Sequence, residues 1–475
     1  MSKKFYILNA IIALSLIGCT LAPKYSRPQS PVANNWPAGQ AYKTLESTNH
    51  PFAQDLNWQE FYQDPRLQNL IRIALENSRD LKLAALNVEL ARSVYGIQRN
   101  TLFPALNLAA SGVKQRNSAD LTRPGEPRTT EQYSVNFGLF SWEIDFFGRI
   151  RSLKDEALQE YLATEQARRS AQLLLVSSVA NTYLALAADR ENLMLAQKTF
   201  ETQKEFLYLV QKQFDIGIAT ELELRQAQTI LDTARKNIAF YTQLVAQDEN
   251  ALNLLVGTNV PPEILPSDFR SVVPPREISP GLSSDVLLRR PDVLQAEHML
   301  KAANADIGAA RAAFFPRISL TSAIGTASTD LEGLFKSGTG TWNFAPQLVM
   351  PIFDLRTWSA LKYSKVQRQL ILTQYEKSIQ NAFREVADAL ALCGTIDDQL
   401  SAQESLVSAL EDTCRLAKAR YEKGIDSYLP LLDAQRSLYA AQQALVSVRL
   451  AKFESRIRLY VALGGGWNNA NDTSM

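Results

Sequence analysis

The chain has 475 residues, 46% of them hydrophobic, and carries 50 lysines and arginines against 49 aspartates and glutamates. A net charge of +1 with that much apolar content excludes a disordered chain and a nucleic-acid-binding one. Two histidines (His50, His298) and three cysteines (Cys19, Cys393, Cys414) are too few and too scattered for a zinc site or a disulfide framework, so neither metal nor cofactor is expected.

Lys3-Lys4 and the apolar run Phe5 to Ile17 have the charged start and short core of a secretory signal. The run is too short to span a membrane, and residues 1–18 are expected to be removed. It ends in Leu16-Ile17-Gly18-Cys19, which resembles the bacterial lipoprotein box and makes Cys19 the expected lipid-attachment residue. A thioether-linked diacyl group plus an N-acyl chain supplies the two or more chains that stable anchoring requires. Thr20, rather than Asp, follows the cysteine, which is the outer-membrane sorting case; the expected location is the outer membrane of a Gram-negative bacterium. Residues 19–56 then read as a proline-rich, extended, lipid-anchored segment.

The remainder reads as a duplication, with residues 57–257 and 285–464 as structural repeats, a proline-rich linker over 258–284 and a tail over 465–475. Asn77 to Leu81 and Leu102-Phe103-Pro104 precede Arg289 to Val293 and Phe314-Phe315-Pro316 by 212 positions, and Gln213 to Ile218 precede Arg420 to Ile425 by 207. Each repeat is expected to rise as a helix (about 60–101 and 285–313), pass through two strands, descend as a long helix and return as another. Arg151 to Phe214 lacks Gly and Pro and repeats an apolar residue every seventh position: Val179, Leu186, Leu193, Phe200, Leu207, Phe214. Leu372, Ile379, Val386, Cys393, Leu400, Val407, Cys414 and Tyr421 do the same in the second copy. Both series predict coiled-coil seams, on helices roughly 95 Å long at about 1.5 Å per residue, with both cysteines as core hydrophobes. Gly217 and Gly424 are placed as C-terminal caps, Thr220-Glu221-Leu222-Glu223 has the spacing of a capping box, and the returning helices run about 220–256 and 427–463.

Tyr133, Val135, Phe137 and Leu139 alternate with Ser134, Asn136 and Gly138; Trp342, Phe344, Leu348 and Met350 alternate with Asn343, Ala345 and Gln347. Leu106 to Lys114 and Ile318 to Gly325 read as their hairpin partners. Such alternation fits a membrane barrel strand or a half-buried sheet of a soluble domain, and the lipid signal favours the barrel. Four strands leave two edges, and unpaired backbone groups in hydrocarbon cost several kcal/mol each, so the sheet must close across subunits. Two copies would make a barrel plugged by side chains, whereas three begin to leave a lumen. Physics alone gives a closed oligomer without fixing its number.

Several motifs in order, covering essentially the whole chain, resemble the TolC-type outer membrane efflux proteins, in particular the OprM/NodT lipoprotein branch. They are Leu16 to Cys19, Thr20 to Tyr25, Ser141-Trp142-Glu143-Ile144-Asp145-Phe146-Phe147-Gly148-Arg149, Leu288-Arg289-Arg290-Pro291-Asp292-Val293, Pro351-Ile352-Phe353-Asp354, Leu431 to Leu438 and Ala462 to Trp467. The resemblance implies a mainly α fold with membrane β: a homotrimer with a 12-stranded β-barrel, four strands per chain, continued by a long α-helical coiled-coil barrel in the periplasm. It implies a non-enzymatic channel that meets a periplasmic adaptor and an inner-membrane pump of the resistance-nodulation-division class, and passes drugs or other small molecules outward. It places a periplasmic gate at Leu429, an apolar ring, and Asp433, a threefold ring of carboxylates that acts as an electrostatic filter. Without the resemblance, Asp433 reads as a first-turn carboxylate favoured by the helix dipole. Some relatives carry a second acidic residue where Pro430 stands here. The turns at Gly217, Thr220, Gly424 and Asp426 resemble adaptor-docking tips and also serve plain chain reversal. Two alternatives stay open: a type I protein-secretion conduit, and a non-conducting envelope coiled-coil scaffold.

Overall fold

The computed structural model describes residues 20–42, 51–279, 281 and 283–465. Cys19, the segment before it and the tail after Gly465 lie outside the described residues. In chain order the helices and strands are α1 (Trp58–Phe61), α2 (Pro65–Asn77), α3 (Arg79–Asn100), β1 (Leu106–Arg116), β2 (Thr129–Ile144), α4 (Arg149–Asp215), α5 (Glu221–Val256), α6 (Pro291–Ala312), β3 (Arg317–Ser328), β4 (Gly340–Val349), α7 (Leu355–Glu422) and α8 (Tyr428–Ala462). The order helix, strand, strand, long helix, helix thus occurs twice. The expected rising helices are each interrupted: α2 stops at Asn77 and α3 starts after Ser78, while α6 starts after Arg290, following a 3₁₀ turn over Ser284–Arg289. Ser78 and Arg290 both have extended ψ values, 129° and 138°. At Arg290 the reason is local, because the following Pro291 disfavours a helical conformation in the residue before it.

Two compact units form. One gathers the chain up to Gln29, Val88–Thr164 and Gln295–Tyr375; the other gathers Ser30–Asn87, Glu165–Leu294 and the chain from Glu376. The first unit contains the sheet, in the order β1-β2-β3-β4 and antiparallel throughout, so among the described residues β1 and β4 are free edges. Its register sorts the side chains by face. Leu108, Phe137, Ile324 and Trp342 stand in one row across all four strands, each largely exposed. The next row, on the opposite face, is Ala109, Asn136, Gly325 and Thr341. That face is tightly closed up. A Cβ on Gly325 would lie 2.1 Å from the Val135 carbonyl oxygen, and one on Gly138 would lie 2.1 Å from that of Ser322, so only glycine fits between the strands there.

The Ser141-to-Arg149 motif is the joint from sheet to helix. A β-bulge between Leu139 and Trp142, with Ser141 in left-handed backbone at φ 58°, absorbs one extra residue. Trp142 and Ile144 thereby return to the apolar face, opposite Leu320 and Ile318. Glu143 then receives a bidentate pair from Arg149 at 2.8 and 2.7 Å and another contact from Arg317 at 2.6 Å. Asp145 accepts the Ile150 and Arg151 backbone N–H groups at the start of α4. Asp354 repeats this at α7, accepting Arg356 N and its guanidinium at 2.8 to 2.9 Å. A carboxylate held at the positive end of a very long helix satisfies donors that have no partner within the helix.

The heptad seams are present, with one shift. On α7 every predicted seam position is buried or half-buried. On α4, Val179 and Leu186 are fully buried, but the tightest positions then pass to Ala196, Gln203 and Val210, and Phe214 is 37% exposed. The other half of the 3–4 seam carries a small and a polar residue, which the large-apolar pattern does not reveal. Cys393 and Cys414 are free and partly buried, and burial pushes both thiols upward, which suits inert packing groups.

Candidate functional site at the hairpin tips

The second unit contains the turns that join α4 to α5 and α7 to α8. Gly217 and Gly424 have φ of 79° and 67°, the left-handed conformation that ends a helix at little cost only for glycine. Nothing lies within 4 Å of a Cβ added to either, so backbone conformation, and not crowding, selects glycine. Past each glycine the chain closes back on the helix: Ile218 N donates to Gln213 O at 2.8 Å, and Ile425 N to Arg420 O at 3.0 Å.

The two turns are fastened differently. Thr220 caps α5 through a reciprocal capping box, with Thr220 N donating to Glu223 Oε2 at 2.8 Å and Glu223 N to Thr220 Oγ1 at 3.3 Å. Ser427 occupies the equivalent place before α8 without a side-chain cap. Instead Arg420 grips Asp426 across the turn, at 2.5 and 2.9 Å, and this guanidinium holds the Asp426 carboxyl below its ordinary range. Asp426, one of the expected docking residues, thus also braces its own turn. The sequence signal is opposite charges flanking Gly424. Ile216, Ile218, Leu222 and Ile425 are exposed around the tips.

Behind the turns lies a buried cluster of Val210, Leu224, Ala227, Ile230, Tyr428, Leu431 and Leu432, with Phe206 and Tyr421 packed against it. Phe206 stacks on Tyr428 with ring centroids 5.0 Å apart, and Tyr421 OH donates to Gln213 Oε1 at 3.1 Å. Tyr421 is thus packing that ties the two tips together. Tyr428 and Phe206 were not singled out by the sequence, since a lone aromatic in a first turn and one beside the heptad series have no periodic signature.

Because Tyr428, Leu431 and Leu432 point into this cluster, Leu429 and Asp433 are presented together on the opposite side of α8, one turn apart, and both are exposed. Pro430 lies between them in the first turn, where its missing N–H costs little. Farther along, Asn237 and Gln443 donate to Tyr439 and Tyr241 hydroxyls at 3.0 and 2.8 Å, which joins α5 to α8 by polar contacts that no sequence pattern indicated. Among the described residues no group of three or more His, Cys, Asp or Glu side chains could hold a metal ion.

Residues 70–258 and 282–465 each match the family model described as outer membrane efflux protein. Two proteins of Pseudomonas putida, the antibiotic efflux pump outer membrane protein ArpC and the toluene efflux pump outer membrane protein TtgC, are each 47% identical over 459 residues, covering 96% of this chain and 95% of theirs. The solved structure of the Neisseria gonorrhoeae MtrE outer membrane channel in its open state superimposes with a TM-score of 0.85 at 37% identity, over 95% of this chain and 99% of that one. The chain belongs to the outer membrane efflux protein family: it is an outer-membrane component of an efflux pump in a Gram-negative bacterium, a channel protein and not an enzyme.

Proposed function

We propose that three copies join edge to edge, β4 of one to β1 of the next, into a 12-stranded barrel, and that their helices line a tunnel into the periplasm. The carrying observation is the sheet itself: two free edges, an apolar row on one face and a small, polar row on the other. In a bilayer the edges must pair and the apolar face must meet lipid. Two copies would fill the interior with side chains; three leave a passage. The matched order of elements in the two halves, each answering the same family model, supports an origin by duplication.

Within this assembly Leu429 and Asp433 form the gate, since they share one exposed face of α8 held from behind by Tyr428, Leu431 and Leu432. The exposed apolar residues beside Gly217, Thr220 and Gly424 receive a periplasmic adaptor, which links the channel to an inner-membrane pump of the resistance-nodulation-division class. Cys19 carries the lipid anchor. Cargo consists of small molecules, with antibiotics and solvents such as toluene as the first to test, because relatives nearly half identical are named for them. The test is reconstitution of the purified protein in planar bilayers: trimers with unitary conductance are expected, and a non-conducting monomer overturns the reading.

A further inference from the structure

The residues that follow the anchor cysteine lie along α6 within the first unit, and their contacts fall at a regular spacing. Arg311 Nη1 donates to Leu21 O at 3.0 Å and Asn304 Nδ2 donates to Pro23 O at 2.6 Å. Between them Gly308 admits the strap: a Cβ there would lie 2.8 Å from both the backbone nitrogen and the Cβ of Ala22, and 2.6 Å from Ser152 Oγ. At the other end Glu297, only 3% exposed, accepts Arg27 Nε at 3.2 Å and Nη2 at 2.6 Å and the Tyr25 hydroxyl at 3.2 Å, with Lys301 paired at 3.0 Å. Lys301 Nζ also lies 5.4 Å from the centre of the Tyr25 ring.

Positions 297, 301, 304, 308 and 311 repeat every three or four residues and so form one stripe along the helix. The strap runs antiparallel to it. From Leu21 to Arg27 an extended chain covers about 20 Å at roughly 3.3 Å per residue. From Arg311 to Glu297 the helix rises about 21 Å at roughly 1.5 Å per residue. The lengths agree, so the contacts register without slack.

We propose that this stripe of α6 is a docking track that fixes where the N-terminus emerges, with Glu297 as the positioning residue that locks it. The proposal rests on the lipid-anchor reading of Cys19. Leu21 is held within the last turn of α6, which ends at Ala312 just before β3 begins at Arg317. The strap therefore runs to where α6 passes into the sheet, on the side that the proposed topology assigns to the inner leaflet of the outer membrane.

Limited trypsin digestion of the intact protein in outer membranes tests the track. Lys24 is exposed, and the Arg27 bond resists cleavage because Pro28 follows. Cutting after Lys24 requires the strap to lift, so its rate reports the open population. Glu297→Gln and Arg27→Ala are expected to speed this cut at least about tenfold, with cuts elsewhere unchanged and Arg27→Lys between variant and wild type. Wild-type rates at Lys24 in both variants, or an equal rise at all sites, overturn the proposal. Palmitate labelling is scored separately: an unlabelled wild-type protein with a protected Lys24 removes the anchor and leaves the track standing.

Discussion

Arg290 explains why the Leu-Arg-Arg-Pro-Asp stretch is recognisable at all. Its largely buried guanidinium donates to Asp292, to Glu385 on α7 at 2.8 Å and to the Ala462 carbonyl at the end of α8 at 2.5 Å, so one side chain binds three helices. Arg79, close to the matching place in the first half, donates to the Asn77 carbonyl at 3.0 Å. Arg290→Ala leaves the buried Ala462 carbonyl without its donor and releases two half-exposed carboxylates, and is expected to cost about 2 kcal/mol, read as a lower Tm of the detergent-solubilised protein. A second residue-scale effect concerns pH. Burial, and then the neighbouring Asp189 charge, pushes the Asp248 carboxyl up to about 6; burial, then Asp306 and Glu160, pushes Glu156 up to about 7. Unfolded carboxylates titrate near 4, so the folded state binds these protons more tightly. Stability should therefore fall as pH rises from about 4 through 7, and Asp248→Asn should flatten part of that slope in thermal melts between pH 5 and pH 8. Glu297 and Asp426, held low by their cationic partners, contribute in the opposite sense and in a more acid window. Leu429 and Asp433 were legible as candidate gate residues only through the family resemblance. The residues that aim them, Tyr428 and Phe206, were not, because burial across a hairpin depends on contacts far apart in the chain.

At the scale of elements the sequence speaks clearly where period and face agree. Alternation in β2 and β4 located strands that the structure confirms, but it could not announce the bulge before Trp142, which resets which residues face outward. Lack of Gly and Pro marked α4 to within two residues of its observed ends, whereas α7 carries Gly394 in its interior and was legible from its heptads alone. On α4 the deepest seam positions were hidden, since Ala196 and Gln203 look unremarkable beside Phe200 and Leu207. The sheet supplies a direct test of its own geometry. Gly325→Val inserts a branched side chain against the Val135 carbonyl and should prevent strand pairing, seen as loss of the proposed trimer on size-exclusion chromatography of the detergent-solubilised protein. Thr220→Ala removes one half of a capping box and should cost about 1 kcal/mol, a small effect confined to increased proteolysis at that tip.

For the molecule as a whole, the family was legible from motifs two of which have structural explanations: a strand-to-helix joint and a three-helix clamp. What stayed out of reach of spacing alone was the strap along α6, because its partners are almost 300 positions away in sequence. If Asp433 lines the narrowest point, Asp433→Ala should raise basal conductance or antibiotic uptake, and an unchanged conductance in a folded trimer would remove the gate assignment. The unlike fastening of the two tips has a further consequence. In the proposed trimer, three chains would present six tips in a ring, alternately braced by Thr220 with Glu223 and by Arg420 with Asp426. A collar of six equal subunits set on that ring would find every second seat chemically foreign, and its neighbours would have to take up two alternating postures to sit flush.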